Sequence, residues 1–137
     1  MHTLVSEEGK PILGICLGMQ ILGKCSDEGG SNSGLGFIDG AVEKIHSEGI
    51  RVPHVGYNQV IVNLNSRLYK NLPDSSDFYF THSHSMTTGS EIGQSICEYG
   101  GPFVASFELD NIAGVQFHPE LSQRNGLALI KNFIELF

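Results

Sequence analysis

Apolar and polar residues follow different periods along the first part of the chain. Residues 10–15 form an apolar run with a proline at its start, which is typical of a buried strand in a parallel sheet. Residues 18–23 place apolar side chains at helical spacing, whereas residues 26–34 are polar and glycine-rich, as in a loop. Residues 37–45 alternate apolar and polar side chains. This pattern predicts a strand, a helix, a loop and a second strand in succession.

The middle of the chain predicts short strands with little helix between them. The strands are expected over residues 59–62, 77–81, 92–99, 103–109 and 112–117. Residues 66–72 are typical of one or two helical turns. The last two strands should form a hairpin, because Asp110 and Asn111 between them are turn-forming residues.

The chain ends in a segment with the spacing of an amphipathic helix. Ser122 and Asn125 are candidate caps at its start. The residues expected to form its apolar stripe are Leu127, Ile130, Phe133, Ile134 and Phe137. We expect this stripe to pack on the sheet as core.

Composition narrows the function without deciding it. The 137 residues carry a net charge of −7 and are 40% hydrophobic, as in an ordinary one-domain globular chain. This charge argues against nucleic acid as a partner, and no apolar stretch is long enough to cross a membrane. The N-terminus carries acid where a signal peptide would carry base. Cys16, Cys25 and Cys97 lack disulfide-framework spacing, which favours a reduced, cytoplasmic thiol enzyme.

The first candidate for chemistry is Cys16, which stands between the predicted strand and helix in a Gly-x-Cys-x-Gly pattern. A reactive residue at such a turn is typical of a nucleophile elbow, here with cysteine in place of serine. A side chain at Gly14 or Gly18 should collide with the turn. The helix N-terminus should favour the thiolate, and the Leu17 N–H should point to an oxyanion. The alternative is a buried cysteine in a glycine-rich turn.

A partner for this thiol follows the last predicted strand. A nucleophilic cysteine needs a base beside it, because a thiol is mostly protonated at neutral pH. His118 is the candidate base, and Glu120 lies two residues on, across Pro119. The carboxylate would hold the imidazole in the required tautomer. A lone histidine after a strand is more often structural, but the elbow and the His-x-Glu pair together favour catalysis.

Five sequence blocks occur in the order seen in a known family. They are residues 11–20 (PILGICLGMQ), 34–40 (GLGFIDG), 53–58 (PHVGYN), 78–83 (FYFTHS) and 114–120 (GVQFHPE). The chain resembles class I glutamine amidotransferases, and among them the glutaminase subunits that serve imidazole glycerol phosphate synthase. The resemblance covers nearly the whole chain.

The resemblance implies an α/β fold, a flavodoxin-like three-layer sandwich around a doubly wound sheet. Residues 1–137 would form the C-terminal two-thirds of a glutamine amidotransferase type 1 domain, N-terminally incomplete, with the first residues in the helix before the elbow strand. Relatives carry a further strand-rich segment that supplies the second oxyanion N–H. The strand at 11–15 should therefore have an open edge, and the chain alone should be poorly soluble and inactive.

The resemblance also implies roles for residues outside the triad of Cys16, His118 and Glu120. The residues expected at the glutamine pocket are Gln20, Glu28, Tyr79, His82 and Ser83. The residues expected at a synthase interface are Pro53, His54, Tyr57 and Asn58, although Pro53-His54 could instead be a plain turn. Relatives usually have Trp at Tyr57 and often an aromatic residue at His84, so these two positions depart from the family.

The function implied is hydrolysis of glutamine to glutamate and ammonia without a cofactor. The ammonia would pass to a cyclase (synthase) subunit, a β/α-barrel, in a heterodimer of histidine biosynthesis. Two alternatives stay open: the same chemistry feeding an amino-sugar amidotransferase of surface polysaccharides, and a silent remnant that only binds. The His82-x-His84 spacing suggests a metal ligand pair, but no further ligands with zinc-like spacing accompany it, so no metal is expected.

Overall fold

One mixed sheet organises the chain. In the computed structural model, which describes residues 1–46 and 48–137, ten strands join this sheet. They are β1 (Ile12–Ile15), β2 (Cys25–Ser26), β3 (Asn32–Ser33), β4 (Ala41–Lys44), β5 (His54–Ile61), β6 (Ser75–His82), β7 (His84–Thr87), β8 (Ser95–Glu98), β9 (Pro102–Leu109) and β10 (Ile112–Val115). The main path runs β3-β2-β4-β7-β9-β8-β5-β6, and β9 also pairs with β10, which pairs with β1. The β1–β10 and β2–β4 pairs are parallel, and the other pairs are antiparallel.

Helical segments are few and mostly short. They are a π-helical turn (Thr3–Glu7), α1 (Leu17–Ile21), two 3₁₀ turns (Arg67–Tyr69 and Pro119–Leu121) and α2 (Gln123–Leu136). The helical turn before β1, the elbow helix, the turn near residue 67 and the final helix were all predicted. None of the helices in the described part of the chain is long and apolar enough to span a membrane.

The predicted parallel strand is β1, and it lies beside β10. Gly14 faces Gly114 and Ile15 faces Val115 in this pair. Within residues 1–46 and 48–137, β1 pairs with β10 alone. The other edge of β1 is therefore open, as expected. Ile12 and Leu13 are only half-buried, which agrees with an apolar flank left partly uncovered.

Two apolar clusters cover the two faces of the sheet and give the predicted three layers. One lies under α2 and the 3₁₀ turn at Arg67–Tyr69, and it includes Phe78, Phe80 and Phe117. The other lies under α1 and the N-terminal turn, and it includes Met19, Met86 and Phe107. Since both faces carry buried apolar side chains, the sheet forms the middle layer.

The second predicted strand is shorter than expected. Only Ala41–Lys44 of residues 37–45 pairs as a strand. The N–H groups of Leu35, Phe37 and Ile38 instead bond carbonyls of Ile21 and Leu22 at 2.7–3.2 Å. These bonds close the C-terminal end of α1, so the backbone groups have partners without a sheet ladder. The predicted loop at 26–34 likewise contains the small β2–β3 hairpin.

Further strands have limits different from those predicted, and the last of them, expected at 112–117, ends at Val115. The strand expected at 59–62 begins at His54, so Pro53-His54 leads into β5 and is not an isolated turn. The strand expected at 77–81 extends to Ser75–His82, and the one at 92–99 shrinks to Ser95–Glu98. The hairpin of β9 and β10 around Asp110-Asn111 is confirmed, and Asp110 takes a positive φ of 54° there.

The apolar stripe predicted for α2 is wrong in two places. Leu127 is 68% exposed and Ile134 is 75% exposed. The buried residues of this helix are Gly126, Leu129 and Asn132. A small residue and an amide therefore occupy the covered face.

Close packing and hydrogen bonds explain this choice of face. A Cβ on Gly126 would lie 1.8 Å from the Pro119 carbonyl oxygen, so only glycine fits there. The Asn132 amide donates to the carbonyls of Leu68 and Lys70, both at 2.9 Å. The candidate cap Ser122 makes no side-chain bond to the start of α2, because its hydroxyl donates to the His118 carbonyl at 2.7 Å.

Candidate active site

The backbone at Cys16 has the strained conformation expected of a nucleophile elbow. Its φ is 52° and its ψ is −111°, a region that residues with a side chain rarely adopt. The Cys16 N–H bonds the Val115 carbonyl at 2.8 Å, so the turn is tied to β10. A Cβ on Gly14 would lie 2.6 Å from the Gly18 carbonyl carbon, which explains glycine at that position. The same expectation for Gly18 is wrong, because a Cβ there would meet nothing within 4 Å.

Burial of Cys16 favours the neutral thiol over the thiolate. Burial raises its pKa, and the opposing contributions of the Leu17 N–H and the Gln116 amide are smaller. The thiol lies 4.0 Å from the Thr81 carbonyl, to which it donates, and it accepts an N–H from Gln116 at 3.6 Å. The N–H of Leu17 at the start of α1 favours the thiolate, which is the expected direction, but burial has the larger effect on the pKa.

His118 and Glu120 form the predicted pair. His118 Nδ1 lies 2.6 Å from Glu120 Oε1 across the Pro119–Leu121 turn. Because a carboxylate only accepts hydrogen bonds, this contact selects the neutral tautomer with the proton on Nδ1 and the lone pair on Nε2. The His118 N–H bonds the Tyr79 carbonyl at 2.8 Å, which fixes the backbone of the turn.

The three catalytic candidates approach one another without a direct bond from thiol to imidazole. The Glu120 carboxylate is close enough to Cys16 that its charge contributes to the raised pKa of the thiol. Among the described residues, the hydrogen-bond partners of the thiol are Thr81 and Gln116, not His118. Catalytic hydrogen bonds are often long or poorly aligned in unliganded sites and tighten when substrate binds, so the missing bond does not argue against His118 as the base.

A cavity of about 360 Å³ opens beside the elbow. Its walls are Cys16, Leu17, Gln20, Glu28, Pro53, Thr81, His82, Ser83 and His84. Four of the five predicted pocket residues therefore surround the thiol together. The fifth, Tyr79, is not part of the cavity wall. It holds the His118 turn through its backbone and contacts the Tyr57 ring edge-on, with ring centroids 5.5 Å apart.

Gln20 is held in place by burial and by two hydrogen bonds. It is buried, and its Nε2 donates to the His84 carbonyl at 3.1 Å and to Gln116 Oε1 at 2.9 Å. It lines the cavity as the end of a buried pair of amides.

Acidic side chains mark the other end of the cavity. Glu28 is exposed, and its Oε1 lies 3.8 Å from His84 Nδ1. Asp27 Oδ1 lies 3.6 Å from His84 Nε2. This histidine, which departs from the family pattern, stands between two carboxylates next to the pocket.

The four predicted interface residues do not share one environment. Tyr57 is exposed and donates its hydroxyl to the Leu121 carbonyl at 2.8 Å, and Pro53 lines the cavity. His54 is 3% exposed, so the prediction that it contacts a partner is wrong. Its Nδ1 lies 2.9 Å from His82 Nε2. Asn58 is half-buried, and its Nδ2 lies 3.3 Å from His54 Nε2.

Comparison with known proteins identifies the family. The sequence model of the family described as glutamine amidotransferase class-I matches residues 1–136. The chain belongs to this family. The amidotransferase is 47% identical over 135 residues to imidazole glycerol phosphate synthase subunit HisH of Pectobacterium atrosepticum, covering 98% of this chain and 68% of that protein. It is 45% identical over 133 residues to the protein of that name in Moorella thermoacetica, covering 96% of this chain and 63% of the relative.

Solved structures agree on the fold. A glutamine amidotransferase from Thermotoga maritima superposes with a TM-score of 0.62 at 18% identity, over 96% of this chain and 50% of that one. A second glutamine amidotransferase gives a TM-score of 0.64 at 19% identity, over 97% of this chain and 64% of that one. The predicted fold class is confirmed. The amidotransferase chain spans about two thirds of the length of the curated relatives it matches.

Two residues of the amidotransferase site escaped prediction. Gln116 and Thr81 both contact the Cys16 thiol. Gln116 carried a usable signal, because it is an amide within the otherwise apolar segment 112–117, and it is fully buried. Buried polar side chains need partners, so such a residue points to a specific contact. Thr81 acts through its backbone carbonyl, which no side-chain pattern reveals.

No cluster of three or more His, Cys, Asp or Glu side chains suited to a metal occurs in residues 1–46 and 48–137 of the amidotransferase. The groups gathered around the thiol are an imidazole with its carboxylate, amide N–H groups and a second carboxylate across a cavity. This set can bind a small zwitterion, attack an amide carbon and move a proton.

Proposed function

We propose that the chain is a glutaminase that hydrolyses the side-chain amide of glutamine to glutamate and ammonia. The observation that carries the proposal is the strained Cys16 at a cavity wall beside the His118–Glu120 pair. A neutral thiol paired with a base suits acyl transfer, because the base can take the thiol proton as attack begins.

The reaction starts when His118 Nε2 takes the proton of Cys16 and the sulfur attacks the amide carbon. The oxygen of the tetrahedral intermediate accepts the N–H of Leu17, which lies at the start of α1 beside the sulfur. His118 then gives its proton to the leaving ammonia, and a thioester remains on Cys16. His118 next activates water, which releases glutamate and restores the thiol. Glu120 keeps the imidazole in the Nδ1–H tautomer throughout.

The cavity wall provides groups for the rest of the substrate. The Glu28 carboxylate receives the α-ammonium group of glutamine, since it is the exposed anion of the cavity wall. Gln20, His82 and Ser83 surround the remaining polar atoms. Because Gln20 Nε2 is committed to protein carbonyls, its Oε1 is the atom that faces substrate. Tyr79 contributes indirectly by holding the His118 turn.

The relatives support a proposal for the synthase partner and the pathway. Proteins named imidazole glycerol phosphate synthase subunit HisH are 45–47% identical to nearly this whole chain. We therefore place the ammonia made here in imidazole glycerol phosphate synthesis, a step of histidine biosynthesis, with a cyclase subunit as heterodimer partner. Any lyase chemistry belongs to that partner. Tyr57 is the exposed aromatic anchor for it; Asn58 follows Tyr57 within β5, and Pro53 immediately precedes that strand.

The test compares cysteine variants in glutamate release, with the full chain alone and with the cyclase subunit from the same source. Cys16→Ala should lower glutamate release by at least about 10³-fold, because the nucleophile is lost. Cys25→Ala is the matched control, since Cys25 is exposed and outside the cavity wall. A diazoketone analogue of glutamine should label Cys16. Labelling of Cys25 instead, or undiminished turnover in Cys16→Ala, would overturn the proposal.

A further inference from the structure

A chain of two buried amides runs from the cavity wall to the reactive sulfur. Gln20 Nε2 donates to Gln116 Oε1 at 2.9 Å, and Gln116 Nε2 donates to Cys16 Sγ at 3.6 Å. Gln116 is 0% exposed and does not line the cavity. Its backbone N–H bonds the Ala105 carbonyl at 2.8 Å, so the residue is anchored in the sheet.

The direction of this chain is determined by one backbone carbonyl. Gln20 Nε2 also bonds the His84 carbonyl at 3.1 Å, and a carbonyl only accepts. Gln20 must therefore turn its NH₂ group inward, toward Gln116. The Gln116 atom that receives this bond must be Oε1, which leaves its NH₂ group facing the sulfur. The orientation of both amides thus follows from the hydrogen-bond network.

We infer that Gln116 is a positioning residue for the nucleophile: it donates an N–H to Cys16 Sγ and favours the thiolate over the thiol. An N–H donor at 3.6 Å interacts more strongly with the charged sulfur than with the neutral one. The amide opposes the effect of burial, which raises the pKa of this thiol. It also fixes the side-chain rotamer, because the sulfur has a directed partner behind it. The inference rests on the proposed role of Cys16 as nucleophile.

The decisive measurement is the pH dependence of Cys16 alkylation by iodoacetamide, which needs no substrate. The full chain is used with Cys25→Ser, and the modified peptide is identified by mass. Gln116→Met fills similar space but has no donor. The pH midpoint of alkylation should therefore rise by about one unit, and the alkylation rate at a pH below the midpoint should fall by about tenfold. Asn132→Leu is the control, because it removes a buried amide that bonds only the Leu68 and Lys70 carbonyls.

The control should lower the melting temperature and leave the alkylation midpoint unchanged. If Gln116 has a merely structural role, Gln116→Met should also lower the melting temperature and leave the alkylation midpoint unchanged. Equal midpoints in Gln116→Met and the parent would therefore overturn the inference. If Gln116→Met does not fold, Gln20→Met carries the test. Freed from Gln20, the Gln116 amide can rotate, so the midpoint should again rise but by less.

Turnover provides a second readout that separates this inference from the proposed function. Gln116→Met should lower kcat with little change in KM, because Gln116 lies behind the sulfur and outside the cavity wall. A parent chain that releases no glutamate with its partner would refute the glutaminase proposal. It would leave the alkylation midpoints, and hence the role of the Gln116 donor, measurable on their own.

Discussion

Acid should destabilise this chain through one buried histidine. His54 is 3% exposed and stacks between Phe80 and Tyr99, with ring centroids 4.8 and 3.8 Å away. Its Nδ1 lies 2.9 Å from His82 Nε2. Burial, followed by the charge of His82, lowers the pKa of His54 from 6.5 to about 4. His54 is therefore neutral in the fold at pH values where an exposed histidine is charged.

The sign of the effect follows from proton binding by the two states. Between pH 6.5 and 4 the unfolded chain binds a proton at His54 and the folded chain does not, so stability falls as the pH falls through this window. Below pH 4 both states are protonated and the loss is complete. For these two pKa values, moving from pH 7 to pH 5 should cost about 2 kcal/mol in the free energy of unfolding.

The assay is urea unfolding at pH 7 and pH 5, for the parent and for His54→Phe. Phenylalanine keeps a ring between Phe80 and Tyr99 but does not titrate, so it should remove most of the pH-dependent loss. It also leaves His82 without its partner, so the variant should be less stable at both pH values. The pKa of His82 is lowered by burial too, and this accounts for the remaining pH dependence.

The matched control is His2→Phe, which replaces an exposed histidine that stacks on a single aromatic ring. It should keep the full loss of stability between pH 7 and pH 5. The reasoning is refuted if His54→Phe loses as much stability on acidification as the parent does.

Two further predictions concern the elbow and the imidazole. Gly14→Ala should prevent stable folding, because its Cβ would lie 2.6 Å from the Gly18 backbone. Gly18→Ala should change the unfolding free energy by less than about 0.5 kcal/mol, because its Cβ would meet nothing within 4 Å. Thermal melts of the two variants check this, and equal losses of stability would contradict it. Glu120→Gln should lower turnover by up to about 10⁴-fold by selecting the wrong tautomer, and His118→Ala by at least as much. Steady-state glutamate release measures both, and near-normal turnover in Glu120→Gln would make the carboxylate merely structural.

Local patterns predicted the parts of the fold that depend on neighbours in the chain. The Gly-x-Cys-x-Gly elbow, the hairpin at Asp110-Asn111 and the His118–Glu120 pair each lie within a few residues, and each is present. The elbow and the hairpin depend on their turn residues, and the His118–Glu120 pair depends on a spacing of two residues. Both are visible in the sequence.

The predictions that were wrong depended on contacts distant in sequence. Leu127 and Ile134 fit a helical stripe, yet close approach to the Pro119 carbonyl selects the face with Gly126. His54 resembled a surface residue until β5 and β6 brought it against His82. Periodicity reports the spacing of apolar residues within an element, but it does not say which neighbour covers that element.

The pairing of two parallel strands brings the proposed nucleophile and base to the same end of the sheet. Cys16 follows β1, His118 lies three residues after β10, and the Cys16 N–H bonds Val115, the residue opposite Ile15. A residue inserted within either strand would turn every later side chain to the opposite face of the sheet. Insertions at Asp110-Asn111 would leave the pairing intact. Tolerance to insertions and deletions should therefore be uneven in this protein: length can vary in that turn, but not between the strands and the residues that act.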